Sequence, residues 1–182
     1  MSRLPTPASI ETSPTAAQPL LQAVKKQLGV VPNLFRLVGN SPAALEGYLG
    51  LNGALAKGEL EAPTRERIAL AVAEINGCDY CLSAHSYLGK NLAKLSDAEI
   101  SANRDGRSTD SKADAAVRFA AKVVAARGHV SDADVEAVRQ AGYTDAQLIE
   151  IVVHVALNTL TNYVNEVAKT EIDFPAVIAR AA

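Results

Sequence analysis

Apolar residues recur every three or four positions along most of the chain, which is the spacing of one face of an α-helix. One such stripe over Gln18–Leu28 ends at Gly29, and another begins at Ser41 and Pro42, residues that favour a helix N-terminus. No segment keeps the alternation of apolar and polar residues that marks a half-buried strand. The pattern therefore predicts an all-α fold without a sheet.

Capping residues predict where the later helices begin. Thr64, Ser96, Ser131 and Thr144 each precede a helical stretch as candidate N-caps, and Ser96 begins the Ser-x-x-Glu pattern of a capping box. The last helix is apolar on too many sides to be exposed alone, and we expect it to end at Asp173. With the earlier stripes, these signals predict a bundle of about eight helices.

The first nineteen residues carry four of the eight prolines and no helical stripe. We therefore expect an irregular N-terminal arm over residues 1–19 and a single helical domain over residues 20–182, a length that suits one domain. The arm has neither the basic start nor the apolar core of a signal peptide. The expected location is accordingly the cytoplasm.

Composition narrows the classes of function. The chain has 18 basic and 20 acidic residues, so it lacks the excess of positive charge that nucleic-acid binding requires. No run of eighteen apolar residues is present, and we expect no membrane partner. Thiols stay reduced in the cytoplasm, so two cysteines there indicate redox or metal chemistry more than a structural disulfide.

The residues with the clearest chemistry are Cys78, Cys81 and His85, which lie three and four positions apart and so share one face of a helix. Two thiols at this spacing can close a disulfide with little backbone movement, and the imidazole can accept the Cys81 proton or stabilise its thiolate. Cys78 follows Gly77 near a helix start, where the helix dipole favours a thiolate. Glu66 lies on the preceding helix and reaches the pair if the two helices pack together.

This constellation resembles a known signature. The pattern consists of a glutamate, Glu66, followed after eleven residues by Cys-x-x-Cys-x-x-x-His. It resembles the signature of the alkylhydroperoxidase D and carboxymuconolactone decarboxylase superfamily, in particular of its uncharacterised peroxidase-related branch. The segments 30–35, 158–165 and 173–175 are similar to the ends of that branch, so the resemblance covers about residues 20–176. The implied fold is the alkylhydroperoxidase D-like helical bundle.

The resemblance also implies a reaction. Cys81 would attack an organic hydroperoxide, Cys78 would resolve the product as a disulfide, and Glu66 and His85 would relay protons. No bound cofactor is expected. An external dithiol, such as a lipoyl group on a partner protein, would reduce the disulfide. Relatives form dimers, trimers or hexamers, so a homo-oligomer is expected.

Tyr80 departs from the family pattern, because peroxidase members often carry His directly before the second cysteine. A tyrosine can donate a hydrogen bond but is a poor proton acceptor at neutral pH, so we expect only a supporting role for Tyr80. Which thiol is the more acidic stays open here. The helix start favours Cys78, whereas His85 and the family pattern favour Cys81.

Three other interpretations remain. A zinc site at the two cysteines and His85 lacks a fourth ligand, and we expect no metal. A lactone decarboxylase of the same superfamily is the alternative enzyme, although decarboxylase members lack the cysteine pair. A redox-responsive binding module without catalysis is the third.

Polar residues in the last predicted helix complete the candidates. His154 lies among apolar residues and is expected to be a hydrogen-bonded core or interface histidine. Asn158, Asn162 and Asn165 recur at helical spacing, and we expect them to bond across helices or across an interface.

Overall fold

The computed structural model describes residues 2–180, and within that range the chain forms nine α-helices, one short 3₁₀ turn and no strand. The helices are α1 (Gln18–Leu28), α2 (Asn33–Val38), α3 (Pro42–Leu55), α4 (Ala62–Ile75), α5 (Asp79–Asn91), α6 (Asp97–Arg104), α7 (Ser111–Ala125), α8 (Asp132–Gln140) and α9 (Asp145–Ala168). Eight of them have eight residues or more. The prediction of an all-α bundle of about eight helices is confirmed.

Side-chain caps fix the start of several predicted helices. The hydroxyl of Ser41 accepts a hydrogen bond from the Ala44 amide at the start of α3. Ser131 and Thr144 form complete capping boxes at the starts of α8 and α9. Because each box satisfies backbone amides that the helix itself leaves unpaired, these sequence signals located the helix starts correctly.

Two helix boundaries and one capping box differ from the prediction. Helix α4 begins at Ala62, so Thr64 lies buried inside its first turn instead of capping it. Ser96 does cap α6, but the Glu99 carboxylate turns inward to Arg67 instead of closing the capping box. Helix α9 ends at Ala168, well before Asp173. In the first two cases, tertiary contacts override a local preference.

Helix α4 is the centre of the packing, because it contacts α5, α6, α7 and α9. Its inner positions Ile68, Leu70 and Val72 are fully buried, and the buried alanines between them, Ala69 and Ala71, let neighbouring helices approach closely. One apolar cluster lies around Leu70 and contains both cysteines, and another lies around Ile68 and Val72. Burial of α4 therefore holds the cysteine-bearing α5 in place.

Both ends of the described chain fold back onto the bundle. Residues 2–14 are irregular, with Ile10 buried in the core, and the 3₁₀ turn Thr15–Ala17 leads into α1. The C-terminal segment, residues 169–180, runs over α5, where the Val177 amide donates to the Ser83 hydroxyl at 2.9 Å. Among residues 2–180, every helix is too short or too polar to cross a bilayer.

Candidate active site

The turn between α4 and α5 positions the first cysteine. Gly77 has a φ of 65°, a left-handed conformation that glycine adopts without steric cost. The turn places Cys78 as the N-cap of α5, where its Sγ accepts a hydrogen bond from the Cys81 amide at 3.4 Å. Both cysteines are buried and both are free thiols. The sulfur of one cysteine therefore lies at the backbone of the other.

The two thiols differ in acidity. The pKa of Cys81 falls to about 6, because the Cys78 thiol donates a hydrogen bond to it. His85, Asn165 and, least of all, Asn162 add to that effect against the cost of burial. The pKa of Cys78 is raised, since that same hydrogen bond and burial both hold its proton. Position at a helix start alone favoured Cys78, but the surrounding groups stabilise the thiolate of Cys81 instead.

Glu66 and His85 form an ion pair beside the thiols. Nδ1 of His85 lies 2.8 Å from Oε2 of Glu66, and each side chain is 22% exposed. Burial lowers the pKa of His85, but Glu66 and the Cys81 thiolate outweigh it, and the net shift is upward. Glu66 thus acts on the sulfur through His85, where the sequence had suggested direct contact with the cysteine pair.

The hydroxyl of Tyr80 bonds to residues outside the Glu66–His85 pair. Its hydroxyl donates to Oδ1 of Asp173 at 2.8 Å and accepts from the Leu34 amide at 3.1 Å. Its ring meets Phe174 edge to face, with the ring centroids 5.9 Å apart. Burial raises the pKa of Tyr80. Tyr80 therefore joins the C-terminal segment and α2 to the helix that carries the cysteines.

Asparagines of α9 reach the site from 84 residues away in sequence. Nδ2 of Asn165 donates to Sγ of Cys81 at 3.2 Å. Oδ1 of Asn162 accepts from Nδ2 of Asn76 at 2.9 Å, across from α9 to the end of α4. Asn158 instead bonds its own helix, at the His154 carbonyl. Helical spacing marked Asn162 and Asn165, but nothing in the sequence indicated that one of them contacts a thiol.

Tyr48 is a further neighbour of the site that sequence reasoning missed. It lies on α3 and packs against Phe35, with ring centroids 5.7 Å apart. Burial raises its pKa, and the negative charges of Cys81 and Glu66 raise it further. An isolated tyrosine on an amphipathic helix carries no sequence signal for this position.

His154 is buried, as predicted for a core histidine, but its Nε2 has no hydrogen-bond partner, whereas the sequence predicted a hydrogen-bonded ring. Burial lowers its pKa to about 4, with Arg65 adding to the effect, so the ring is neutral at physiological pH. Within residues 2–180, no three His, Cys, Asp or Glu side chains are grouped to hold a metal ion.

Comparison with known proteins now adds to this geometry. Residues 42–126 match the sequence profile of the Carboxymuconolactone decarboxylase family. The fold is similar to the crystal structure of an alkylhydroperoxidase AhpD core, an uncharacterized peroxidase-related protein from Ralstonia eutropha JMP134. That likeness has a TM-score of 0.84 and 26% identity, and covers 94% of this chain and 92% of the other. In both this sequence match and its fold, the chain is similar to the alkylhydroperoxidase D and carboxymuconolactone decarboxylase superfamily.

Two further likenesses are more limited, one in the length that matches and the other in sequence identity. An uncharacterized protein of Haemophilus influenzae (strain Rd) is 42% identical over 64 residues, which is 35% of this chain and about half, 51%, of that relative's length. The debrominase Bmp8, in complex with 2,3,4-tribromopyrrole, has a TM-score of 0.77 and 20% identity, over 92% of this chain and 90% of its own. This second likeness extends to the fold alone.

Proposed function

We propose that this protein is an enzyme, a dithiol peroxidase that reduces organic hydroperoxides. The observation that carries the proposal is the pair of unlike thiols, with Cys81 at a pKa of about 6 and a protonated Cys78 bonded to it. Only the thiolate attacks a peroxide, and only a nearby second thiol can close a disulfide afterwards. The family match over residues 42–126 and the likeness to a peroxidase-related protein support the same chemistry.

In the first step, the Cys81 thiolate attacks the terminal oxygen of the hydroperoxide. The O–O bond breaks, an S–O bond forms, and the departing alkoxide takes a proton from the His85 imidazolium to leave as the alcohol. Cys81 is oxidised to a sulfenic acid while the peroxide is reduced. Glu66, bonded to Nδ1 of His85 at 2.8 Å, stabilises the protonated ring before this transfer.

In the second step, the sulfur of Cys78 attacks the sulfur of the Cys81 sulfenic acid. The S–O bond breaks, a disulfide forms, and the oxygen leaves as water, with the Cys78 proton passing through the now neutral His85. An external dithiol then reduces the disulfide by exchange. We propose a lipoyl group on a partner protein as this donor, and the cytoplasm as the compartment.

Peroxide consumption tests the proposal. With tert-butyl hydroperoxide and dihydrolipoamide, we expect turnover by the wild type and none by Cys81→Ser or Cys78→Ser. Cys78→Ser is the matched control, because it keeps the attacking thiol and should still consume one equivalent of peroxide in a single turnover. Turnover by Cys81→Ser at the wild-type rate would refute the proposal.

The family match keeps a lactone decarboxylase as a second candidate. Against it stands the thiol pair, which decarboxylation of a γ-lactone acid does not need. Alkylation of both thiols separates the two: a peroxidase loses its activity, whereas full decarboxylation by the alkylated protein would establish the second candidate.

A further inference from the structure

Two buried amide atoms beside Cys81 lack hydrogen-bond partners. They are Nδ2 of Asn162 and Oδ1 of Asn165, on side chains that are 0% and 2% exposed. The other amide atom of each is engaged, since Oδ1 of Asn162 accepts from Asn76 and Nδ2 of Asn165 donates to Sγ of Cys81. Asn162 adds only the smallest of the effects that lower the Cys81 pKa, so a donor without a close partner and an unused acceptor lie three residues apart on α9.

Buried amide groups in proteins are nearly always paired, so two atoms without close partners in one place mark a position where a further polar group can be held. The hydrogen bond from Asn76 fixes which atom Asn162 turns outward, namely its N–H donor. A thiolate can only accept hydrogen bonds, so it can pair with the Asn165 amide nitrogen but never with Oδ1 of Asn165. The acceptor stays unused until a hydrogen-bearing atom arrives.

We infer that Asn162 and Asn165 form an amide cradle that holds the Cys81 sulfur as a thiolate and binds the oxygen that this sulfur gains on oxidation. The inference rests on the proposed peroxide reduction and assigns two residues to its oxygen site. When the O–O bond of the hydroperoxide breaks, its terminal O–H group moves to sulfur as S–O–H. That oxygen accepts from Nδ2 of Asn162, and its hydrogen donates to Oδ1 of Asn165.

The cradle also fits the substrate before reaction. The terminal O–H of a hydroperoxide offers the same acceptor and donor as the sulfenic acid, so the two amides orient it at the sulfur that will attack. A substrate that has no terminal O–H, such as a dialkyl peroxide, cannot donate to Oδ1 of Asn165. The recognised class is therefore hydroperoxides.

The first test is a titration of Cys81 in a Cys78→Ser background, followed by thiolate absorbance at 240 nm. We expect Asn165→Ala to raise the Cys81 pKa by about one unit, a tenfold smaller ratio of thiolate to thiol at a fixed pH. Asn158→Ala is the matched control, a buried asparagine of α9 that bonds only its own helix. Equal pKa values in the two variants, both folded by circular dichroism, would overturn the inference.

Asn165→Asp serves as a second variant if Asn165→Ala does not fold. Aspartate keeps the size of the side chain but replaces the N–H donor with a negative charge, so we expect a still larger rise of the Cys81 pKa. An unchanged pKa in Asn165→Asp would equally contradict the cradle.

The second test follows the oxidised state. After one equivalent of hydrogen peroxide, the Cys81 sulfenic acid is trapped with dimedone and measured by mass spectrometry in the same Cys78→Ser background. We expect Asn162→Ala to give severalfold less trapped sulfenic acid than Asn158→Ala at matched thiolate fraction. The same yield from both variants would remove Asn162 from the oxygen site.

These outcomes separate the cradle from the proposed function. The titration involves no peroxide and no reductant, so a protein without peroxidase turnover can still show the expected rise in Cys81 pKa. Conversely, normal turnover with a Cys81 pKa that does not depend on Asn165 would leave the peroxidase proposal standing and remove the cradle.

Discussion

At the scale of single residues, the charge on Cys81 depends on groups from two helices, α5 and α9. Cys78 at the start of α5, His85 one turn after Cys81, and Asn165 on α9 all favour the thiolate, and together they outweigh the cost of burying it. A negative sulfur in an apolar cluster is otherwise unfavourable, because burial raises the pKa of a thiol. The fold thus determines the reactivity of Cys81 through side chains that lie far apart in sequence.

The lowered pKa predicts the pH dependence of peroxide reduction. A group with a depressed pKa is ionised above that value and loses its charge as the pH falls through it, so the rate of Cys81 oxidation should drop below about pH 6. We expect a decrease of about tenfold one unit below the pKa. Single-turnover oxidation by tert-butyl hydroperoxide between pH 4.5 and 9 measures it. A midpoint near the value of a free cysteine, about 8.5, would contradict the assignment.

Removing the carboxylate that pairs with His85 should also make Cys81 a weaker acid. Glu66→Gln deletes the negative charge that raises the pKa of His85, so the ring becomes neutral at lower pH and no longer stabilises the thiolate. We expect the pH midpoint of the peroxide reaction to rise by about one unit, and the His85 pKa, measured by NMR, to fall. Glu136→Gln, which changes an exposed carboxylate on α8, is the control. Equal His85 pKa values in both variants would refute this coupling.

At the scale of elements, α2 and the C-terminal segment meet at one side chain. The hydroxyl of Tyr80 pairs with the Leu34 amide on α2 and with Asp173 in the C-terminal segment, while a second oxygen of Asp173 accepts from the Asn33 amide. The Asp173 carboxylate therefore links the start of α2 to Tyr80, which directly precedes Cys81. The departure from the family pattern at this position has a structural use.

Loss of this link should reduce stability with little effect on the thiols. Tyr80→Phe leaves the Leu34 amide without its partner in a buried place, which costs about 1–3 kcal/mol. We expect that loss in the free energy of unfolding, measured with urea. Tyr87→Phe is the matched control, since Tyr87 is an exposed tyrosine on the same helix. A stability equal to that of Tyr87→Phe would show that the link contributes nothing.

The sequence predicted the helices that carry local signals and missed the element that does not. Ser41, Ser131 and Thr144 cap the helices they were expected to cap, because capping depends only on nearby backbone amides. The six-residue helix α2 carried no such signal: it follows Pro32 without a side-chain cap and is held by tertiary contacts. The cysteine spacing indicated redox chemistry, but Asn165 contacts Cys81 from 84 residues away, which only the fold determines.

At the scale of the whole molecule, α9 presents one face to the site and another to solvent. Its inner face carries Asn162 and Asn165, both buried. Its outer face carries exposed apolar side chains at helical spacing: Ile149, Val152, Leu160, Tyr163 and Val167. Contiguous exposed apolar surface of this kind is typical of an interaction site. The sequence predicted a helix too apolar to be exposed alone, and the single chain leaves this stripe uncovered.

We expect a second copy of the chain to cover this stripe in a homo-oligomer. Tyr163 belongs to this stripe and is 60% exposed in the single chain. Tyr163→Glu would place a charge in an interface that excludes water, so it should shift the assembly towards monomer. Light scattering coupled to size-exclusion chromatography measures the mass. Leu92→Glu, which changes a 68% exposed leucine after α5, is the control and should leave the assembly intact. Because the inner face of α9 holds Asn165 against Cys81, dissociation should also shift the Cys81 pKa if the interface steadies this helix. A wild type that stays monomeric at all concentrations would contradict the oligomer.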